Sequence, residues 1–175
     1  MGRILYPDMW AQNAYSIDYT LLYHKGYRGI IFDIDNTLVF PNAPSDVRSR
    51  DLVSTLQKMG FKTIILSNNT GKRATQFAKE VGADVVTGAR KPLPGKYKKA
   101  MTLMGTNEDT TLCIGDQIFT DIWGANAAHI CSILTDPLTK QEFFLIRIKR
   151  ILEKPFRAKK KIPKVAGIED EVSNR

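Results

Sequence analysis

Residues 29–39 read GIIFDIDNTLV, and this stretch decides the fold. Its short apolar run, residues 30–32, leads directly into two carboxylates, Asp33 and Asp35. A buried charge is unfavourable unless a partner, a metal ion or a function compensates for it. Because ligands bind at the carboxyl ends of the strands in a parallel α/β sheet, the stretch predicts a strand that delivers two acids to an active-site crevice.

The size and composition of the chain are those of an ordinary soluble domain. With 175 residues, the chain is long enough for one domain with a sizeable core and short for two. Its hydrophobic fraction of 43% is ordinary for a soluble globular protein. No apolar run reaches the ~20 residues of a membrane span, and residues 1–10 lack the apolar region of a signal peptide. We therefore expect a cytoplasmic protein. Cys113 and Cys131 lie in apolar runs without metal-type spacing, so we predict reduced core thiols.

The positive charge of the chain is concentrated near its C-terminus. The formal net charge is +8, and residues 147–164 contain nine Lys or Arg with only Glu153 as an acid. This stretch therefore accounts for the whole excess. Such a block is either a solvated tail or an anchor to a phosphate-rich partner, which can be nucleic acid or anionic lipid.

From Gly29 onward, predicted strands alternate with predicted helices. The strands are expected at 29–34, 61–66, 84–87, 110–114 and 130–134. The helices are expected at 45–59, 70–81, 92–104, 118–128 and 139–153. The first is predicted to be capped by Ser45, and the third to begin at Pro92 or Pro94. This alternation predicts right-handed βαβ units, and hence an α/β fold whose central parallel sheet of about five strands is covered on both faces.

The segments outside this alternation complete the predicted domain organisation. Residues 1–28 are expected to form an N-terminal helical arm, with Asp8 and Asp18 as caps of two short helices. We predict a single domain over 1–153, with its core at 29–134 and a basic C-terminal helix at 139–153. Residues 154–175 are predicted to form a basic, flexible tail.

The residues with catalytic potential follow the ends of the predicted strands. They are Asp33 and Asp35, Ser67 and Asn68, Lys91, and Asp116 with Asp121. The carboxyl ends of parallel strands lie at one edge of a sheet, so we expect these residues to converge. Two close carboxylates repel each other unless one is protonated or a cation lies between them. Oxygen ligands suit a hard ion such as Mg²⁺.

These residue types indicate phosphoryl transfer. The hydroxyl of Ser67 and the amides that follow it can cradle an anion at a helix N-terminus. Lys91 can neutralise a phosphate or the attacking carboxylate. One Asp can attack phosphorus in line, and a neighbouring acid can protonate the leaving group and then activate water.

These motifs, taken in order, resemble those of a haloacid dehalogenase (HAD) superfamily phosphatase. DIDNTLV at 33–39 is similar to the first motif, SNN at 67–69 to the second, Lys91 to the third, and Gly115-Asp116 with Asp121 to the fourth. More narrowly, DIDNTLV, SNN, ARKP and IGDQ resemble the phosphatidylglycerophosphatase-like, YqeG-type branch of class IIIA. The resemblance implies a three-layer Rossmann-like HAD fold.

The resemblance also implies a role for each acid. Asp33 would be the nucleophile and a ligand of Mg²⁺. Asp35 would be the general acid and base, with its backbone carbonyl on the metal, and Asp116 would bind the metal directly. Asp121 would act in the outer shell of the metal or orient Lys91.

The remaining roles concern the phosphate. By the same resemblance, Ser67 and the backbone of Asn68 would bind the phosphoryl oxygens. Lys91 would steady both the phosphate and the nucleophile.

Spacing predicts that the site has no cap domain. The 32 residues from Asp35 to Ser67 and the 24 from Ser67 to Lys91 are filled by predicted elements, and neither gap can hold a further ~50-residue domain. An open site favours a large or surface-bound phosphomonoester, or needs a partner subunit of a homo-oligomer to cover it. The loop at 39–44 is the predicted local flap.

Three functions remain open on these residues. The leading hypothesis is a phosphatidylglycerophosphate phosphatase of phospholipid metabolism, peripheral at an anionic membrane. The predicted C-terminal helix supports it with an apolar stripe that includes Phe144 and Ile148 beside basic residues, although core docking explains the same stripe. The alternatives are a phosphatase of small soluble nucleotide or sugar phosphates, and an RNA- or ribosome-binding protein on a HAD scaffold.

Overall fold

A computed structural model describes residues 4–69, 71–139 and 163–165. The strands are β1 (Met9–Ala11), β2 (Gly29–Phe32), β3 (Lys62–Leu66), β4 (Asp84–Val86), β5 (Thr111–Gly115) and β6 (Cys131–Thr135). The helices are α1 (Tyr19–His24), α2 (Val47–Lys58), α3 (Lys72–Val81), α4 (Gly95–Met104) and α5 (Trp123–Ala127), with a 3₁₀ turn at Ala14–Ser16 and a π turn at Ile118–Ile122.

The six strands form one parallel sheet in the order β1-β6-β5-β2-β3-β4. Strand β2 lies inside the sheet, where Phe32 is in register with Ile65 of β3 and Ile114 of β5. These three strands therefore end at the same level. The predicted α/β fold with a central parallel sheet is confirmed.

Helices cover both faces of the sheet because side chains alternate along β2. Phe32 points to one face and packs in a cluster with Leu56 of α2 and Phe77 of α3. Ile31 points to the other face and packs in a cluster that contains Tyr97 of α4 and Ala125 of α5. The result is the predicted three-layer arrangement.

The N-terminal segment differs from the prediction. Residues 9–11 form the edge strand β1 rather than a helix, so the described residues contain six strands where about five were predicted. Asp8 does not cap a helix, because its carboxylate accepts hydrogen bonds from the backbone N–H and the hydroxyl of Ser132 on β6, at 2.9 and 3.0 Å. The prediction for Asp18 is confirmed, since its side chain accepts from the N–H of Leu21 and caps α1.

The helix that follows β2 also begins differently. Asp46 rather than Ser45 is the N-cap of α2, and it forms a reciprocal capping box with Ser49. An Asp cap satisfies the free N–H groups of the first turn as well as a Ser cap does. The shift is therefore one residue and leaves the helix in place.

A short C-terminal segment, residues 163–165, lies along the outer edge of β1. The N–H of Trp10 donates to the carbonyl of Pro163, and the N–H of Val165 donates to the carbonyl of Trp10, both at 2.9 Å. From residue 140 onward the other residues of the predicted basic helix and tail lie outside the described residues.

Two further predictions concern the chemistry of the chain as a whole. Both cysteines are free thiols, with Cys113 buried on β5 and Cys131 half-buried on β6, as predicted. Among the helices of the described ranges, none is both long enough and apolar enough to span a bilayer.

Candidate active site

The site forms where β2 and β5 end side by side. The N–H of Asp33 donates to the carbonyl of Ile114 at 3.0 Å, which continues the pairing of the two strands beyond Phe32. Asp116 follows β5 directly and is fully buried. The expected convergence at the carboxyl edge of the sheet therefore brings Asp33 and Asp116 together.

Lys91 joins two of the acids. Its Nζ lies 2.6 Å from Oδ1 of Asp33 and 2.8 Å from Oδ1 of Asp121. The Lys91 side chain is only 3% exposed, and those of Asp33 and Asp121 are 18% and 2% exposed. Burial alone disfavours the ammonium, but the carboxylates of Asp121 and Asp33 outweigh it and raise the pKa of Lys91 well above its usual value. Lys91 is therefore a permanent cation between two acids.

The same environment changes the titration of Asp33. Burial raises the pKa of its carboxyl group from 3.8 to about 7, and the negative charges of Asp121 and Asp35 act in the same direction. The ammonium of Lys91 opposes this shift without cancelling it. In the absence of a metal ion, Asp33 thus titrates near neutral pH.

Three carboxylates are placed to hold a metal ion. One oxygen each from Asp33, Asp116 and Asp121 lies within 4.8 Å of the others. A set of carboxylate oxygens fits a hard divalent cation such as Mg²⁺. The side chain of Asp35 binds Arg73 instead. The third carboxylate of the cluster is therefore that of Asp121.

Asp121 is held in position from several sides. The N–H of Gln117 donates to its Oδ2 at 3.2 Å, and the hydroxyl of Tyr97 donates to its backbone carbonyl at 3.4 Å. Gly115 permits this close approach, because a Cβ at that position would lie 2.5 Å from the Cβ of Asp121. Asp121 belongs to the π turn, a local geometry that is frequent at functional sites.

Asp35 is bound by an arginine that the sequence did not reveal. Arg73, in the first turn of α3, places its two terminal nitrogens 2.8 and 3.1 Å from the two carboxylate oxygens. The same guanidinium donates to the carbonyl of Ala43 at 3.0 Å, and the N–H of Asn42 donates to Asp35 at 2.9 Å. Asp35, α3 and the predicted flap at 39–44 are thereby connected.

The predicted phosphate loop follows β3. The hydroxyl of Ser67 accepts from the N–H of Asn69 at 3.2 Å, and the side chain of Asn69 accepts from the N–H of Gly71 at 2.8 Å. The side-chain oxygen of Asn68 accepts from the N–H of Lys91 at 2.7 Å. Asn68 thus connects this loop to the segment that carries Lys91.

Comparison with known proteins decides the family. Residues 42–129 match the family model of the haloacid dehalogenase-like hydrolases. Over 155 residues the chain is 30% identical to "Probable phosphatase YqeG" of Bacillus subtilis, covering 88% of this chain and 90% of that protein. The chain belongs to the haloacid dehalogenase-like hydrolases. The predicted HAD-type phosphatase, of the YqeG type, is confirmed.

Two other similarities are informative about this HAD-like chain. It is 27% identical over 168 residues to "Phosphatidylglycerophosphate phosphatase 1, chloroplastic/mitochondrial" of Arabidopsis thaliana, covering 86% of this chain and 47% of that protein. A crystal structure of an uncharacterized protein from Corynebacterium glutamicum superimposes with a TM-score of 0.53 at 21% identity, covering 73% of this chain and 93% of that chain. The latter similarity concerns the fold alone.

Proposed function

We propose that this chain is a Mg²⁺-dependent phosphomonoester hydrolase that works through an aspartyl-phosphate, with phosphatidylglycerophosphate as its substrate. The position of Lys91 carries the proposal. Its ammonium lies within hydrogen-bond distance of Asp33 and Asp121, in a cluster of acids at the carboxyl edge of the sheet. Such an arrangement offers a carboxylate nucleophile, a fixed cation for phosphate and oxygen ligands for a metal.

In the first step, a carboxylate oxygen of Asp33 attacks phosphorus. A bond forms between this oxygen and phosphorus, and the bond from phosphorus to the ester oxygen breaks. Asp35 gives its proton to the departing alcohol. Lys91 offsets the charge of the phosphoryl group, and the Ser67 hydroxyl with the Asn68 backbone binds its oxygens.

In the second step, Asp35 takes a proton from water. The water oxygen bonds to phosphorus, the bond to Asp33 breaks, and inorganic phosphate leaves. Asp33, Asp116 and the backbone carbonyl of Asp35 are the residues that would hold Mg²⁺, with Asp121 in an outer position that orients Lys91. The ion would add positive charge to stabilise the phosphoryl group.

The choice of a lipid substrate has three supports. The plant relative is named a phosphatidylglycerophosphate phosphatase. The connections between the site residues are too short for a cap domain, which suits a substrate presented at a surface. Phe40, on the loop bound to Asp35, and Leu93, two residues after Lys91, are each 58% exposed. Large exposed apolar side chains are suited to contact with lipid, so we include peripheral attachment to an anionic membrane in the proposal.

The proposal is tested by measuring phosphate release in the presence of Mg²⁺ from phosphatidylglycerophosphate in vesicles, from p-nitrophenyl phosphate and from soluble nucleotide and sugar phosphates. We expect hydrolysis of p-nitrophenyl phosphate, a higher kcat/KM on the lipid than on the soluble metabolites, and no release by Asp33→Asn. If the wild-type protein hydrolysed no phosphomonoester, the proposed hydrolase activity would be refuted. Preference for a soluble metabolite would refute the lipid substrate.

A further inference from the structure

A groove opens beside the proposed phosphate site, along the connection from β4 to α4. Its volume is about 830 Å³, within the range of small-molecule sites. The residues that line it include Asn68, Arg90, Leu93, Gly95, Lys96 and Lys99. We refer to it as the basic groove.

The basic groove is connected directly to the catalytic residues. Asn68, which lines it, follows Ser67, and its side-chain oxygen accepts a hydrogen bond from the backbone N–H of Lys91 at 2.7 Å. Arg90 and Leu93 flank Lys91 in the chain and are joined by a turn in which the N–H of Leu93 donates to the carbonyl of Arg90 at 3.0 Å. A ligand in the groove therefore lies next to the segment that contacts Asp33.

The charge of the groove has one sign. It is lined by Arg90, Lys96 and Lys99, and none of the described residues that line it is acidic. Within the described ranges, none of these three cations forms an ion pair with a carboxylate. Lys96 and Lys99 are three residues apart on α4 and so share a face of the helix. The groove is suited to an anion.

Leu93 gives the groove an apolar component. Leu93 lines the groove together with the three cations, and its side chain is exposed. A ligand that places a phosphate against the cations and carbon atoms against Leu93 satisfies both features. An inorganic anion alone would leave the apolar part of the groove without a function.

We propose that the basic groove binds the part of the substrate beyond the scissile phosphate and receives a second phosphate, in diester linkage, through Arg90, Lys96 and Lys99. This inference rests on the proposed function. It makes the enzyme selective for substrates that carry two phosphates over simple monoesters. The cations would bind a phosphodiester in the same way whether it belongs to a lipid or to a soluble headgroup. The test therefore includes a substrate of each kind.

The kinetic test compares Lys96→Gln/Lys99→Gln with Lys98→Gln, an exposed lysine of the same helix that does not line the groove. The substrates are p-nitrophenyl phosphate and the soluble deacylated headgroup, glycerophosphoglycerol phosphate. We expect the double variant to lose about tenfold or more in kcat/KM on the headgroup, because charge-assisted hydrogen bonds are lost. Its activity on p-nitrophenyl phosphate and both activities of Lys98→Gln should stay within about twofold of wild type.

Two outcomes would overturn the proposal. An equal loss on both substrates would mean that the lysines support the catalytic centre rather than a second phosphate. A loss on phosphatidylglycerophosphate in anionic vesicles, without any loss on the deacylated headgroup, would mean that they attract the membrane surface rather than bind the substrate.

Failure of the proposed phosphatase activity would be seen separately, because the wild-type protein would then not hydrolyse p-nitrophenyl phosphate. The groove is therefore also tested by calorimetric binding of glycerophosphoglycerol phosphate to Asp33→Asn, which does not turn over. Adding Lys96→Gln/Lys99→Gln should weaken binding about tenfold, and adding Lys98→Gln should leave it unchanged. Equal binding by all three proteins would overturn the proposal.

Discussion

The guanidinium of Arg73 binds both carboxylate oxygens of Asp35, at 2.8 and 3.1 Å, across 38 residues of sequence. This fork engages the ionised carboxylate, which is the form that accepts a proton from water. To protonate a leaving alcohol, Asp35 must carry a proton and one of these contacts must open. Arg73 is thus a positioning residue for the proposed acid and base, and Ala43 on the flap shares its guanidinium.

We expect Arg73→Ala to lower kcat about tenfold or more with little change in KM, because Asp35 loses its orientation but remains present. The side chains of Arg73 and Asp35 are 27% and 44% exposed, so the change in the free energy of unfolding should stay below about 1 kcal/mol. Steady-state kinetics and urea denaturation measure the two effects. Lys72→Ala, at the adjacent exposed position of α3, is the control. If Arg73→Ala lost stability and kept its kcat, the positioning role would be wrong.

Lys91→Met should destabilise the metal-free protein by about 3 kcal/mol, because it leaves the buried acids around it without their cation. Mg²⁺ should restore part of this loss, since a divalent cation held by Asp33 and Asp116, close to Asp121, would offset the same negative charges. Urea denaturation with EDTA and with Mg²⁺ measures both effects. Lys98→Met, on the exposed face of α4, should change neither value. Unchanged stability of Lys91→Met in EDTA would contradict the charge balance described above.

The raised pKa of Asp33 predicts a pH-dependent stability of the metal-free protein. The folded state binds the proton more tightly than the unfolded state, whose carboxyl has its ordinary pKa of 3.8. The resulting stabilisation is fully present below pH 3.8 and is lost as the pH rises to about 7. The free energy of unfolding of wild type minus that of Asp33→Asn should therefore fall by a few kcal/mol between these limits.

Denaturation series of both proteins in EDTA measure this difference. Acids other than Asp33 titrate in both proteins, so their contributions largely cancel. A difference that is constant with pH, or that rises, would show that Asp33 is not held in the environment described here.

Gly115→Ala should damage the site through Asp121. The new Cβ would lie 2.5 Å from the Cβ and Cγ of Asp121, so the π turn must shift. We expect a loss of about 1–3 kcal/mol in unfolding free energy together with a large loss of kcat. Gly95→Ala is the control for the unfolding free energy, because nothing lies within 4 Å of its new Cβ. Since Gly95 lines the basic groove, kcat is compared on p-nitrophenyl phosphate, which lacks a second phosphate. Wild-type kcat in Gly115→Ala would mean that the position of Asp121 does not matter for turnover.

Sequence alone could predict the convergence of the acids, because it follows from two local rules. The apolar runs before Asp33 and Asp116 predict strands, and the alternation with helices predicts that these strands are parallel. Parallel strands end at one edge of the sheet, which places Asp33 and Asp116 at the same edge. Their direct meeting also requires β2 and β5 to be neighbours, and this order is set by the tertiary structure rather than by a local pattern. The contact between Lys91 and Asp33 is implied by the resemblance to the HAD motifs, because the residues alone leave open whether Lys91 neutralises a phosphate or the attacking carboxylate.

Arg73 could not be found in this way, because its contact with Asp35 depends on the rotation of α3 and on the path of the loop at 39–44. Neither is encoded by a local pattern. Strand β1 was missed for a related reason. Pro7 and Asp8 are typical of a helix start, but the partner of Met9–Ala11 is β6, more than 120 residues away, and this pairing overrides the local preference.

The contact of residues 163–165 with Trp10 has a consequence for self-association. A strand at the border of a sheet presents unpaired N–H and carbonyl groups, which can recruit a second molecule and start aggregation. Here the N–H and the carbonyl of Trp10 are both occupied by residues of the same chain. Residues 163–165 therefore cover the outer edge of β1. Deleting them would expose this border of the sheet to pairing with a second molecule.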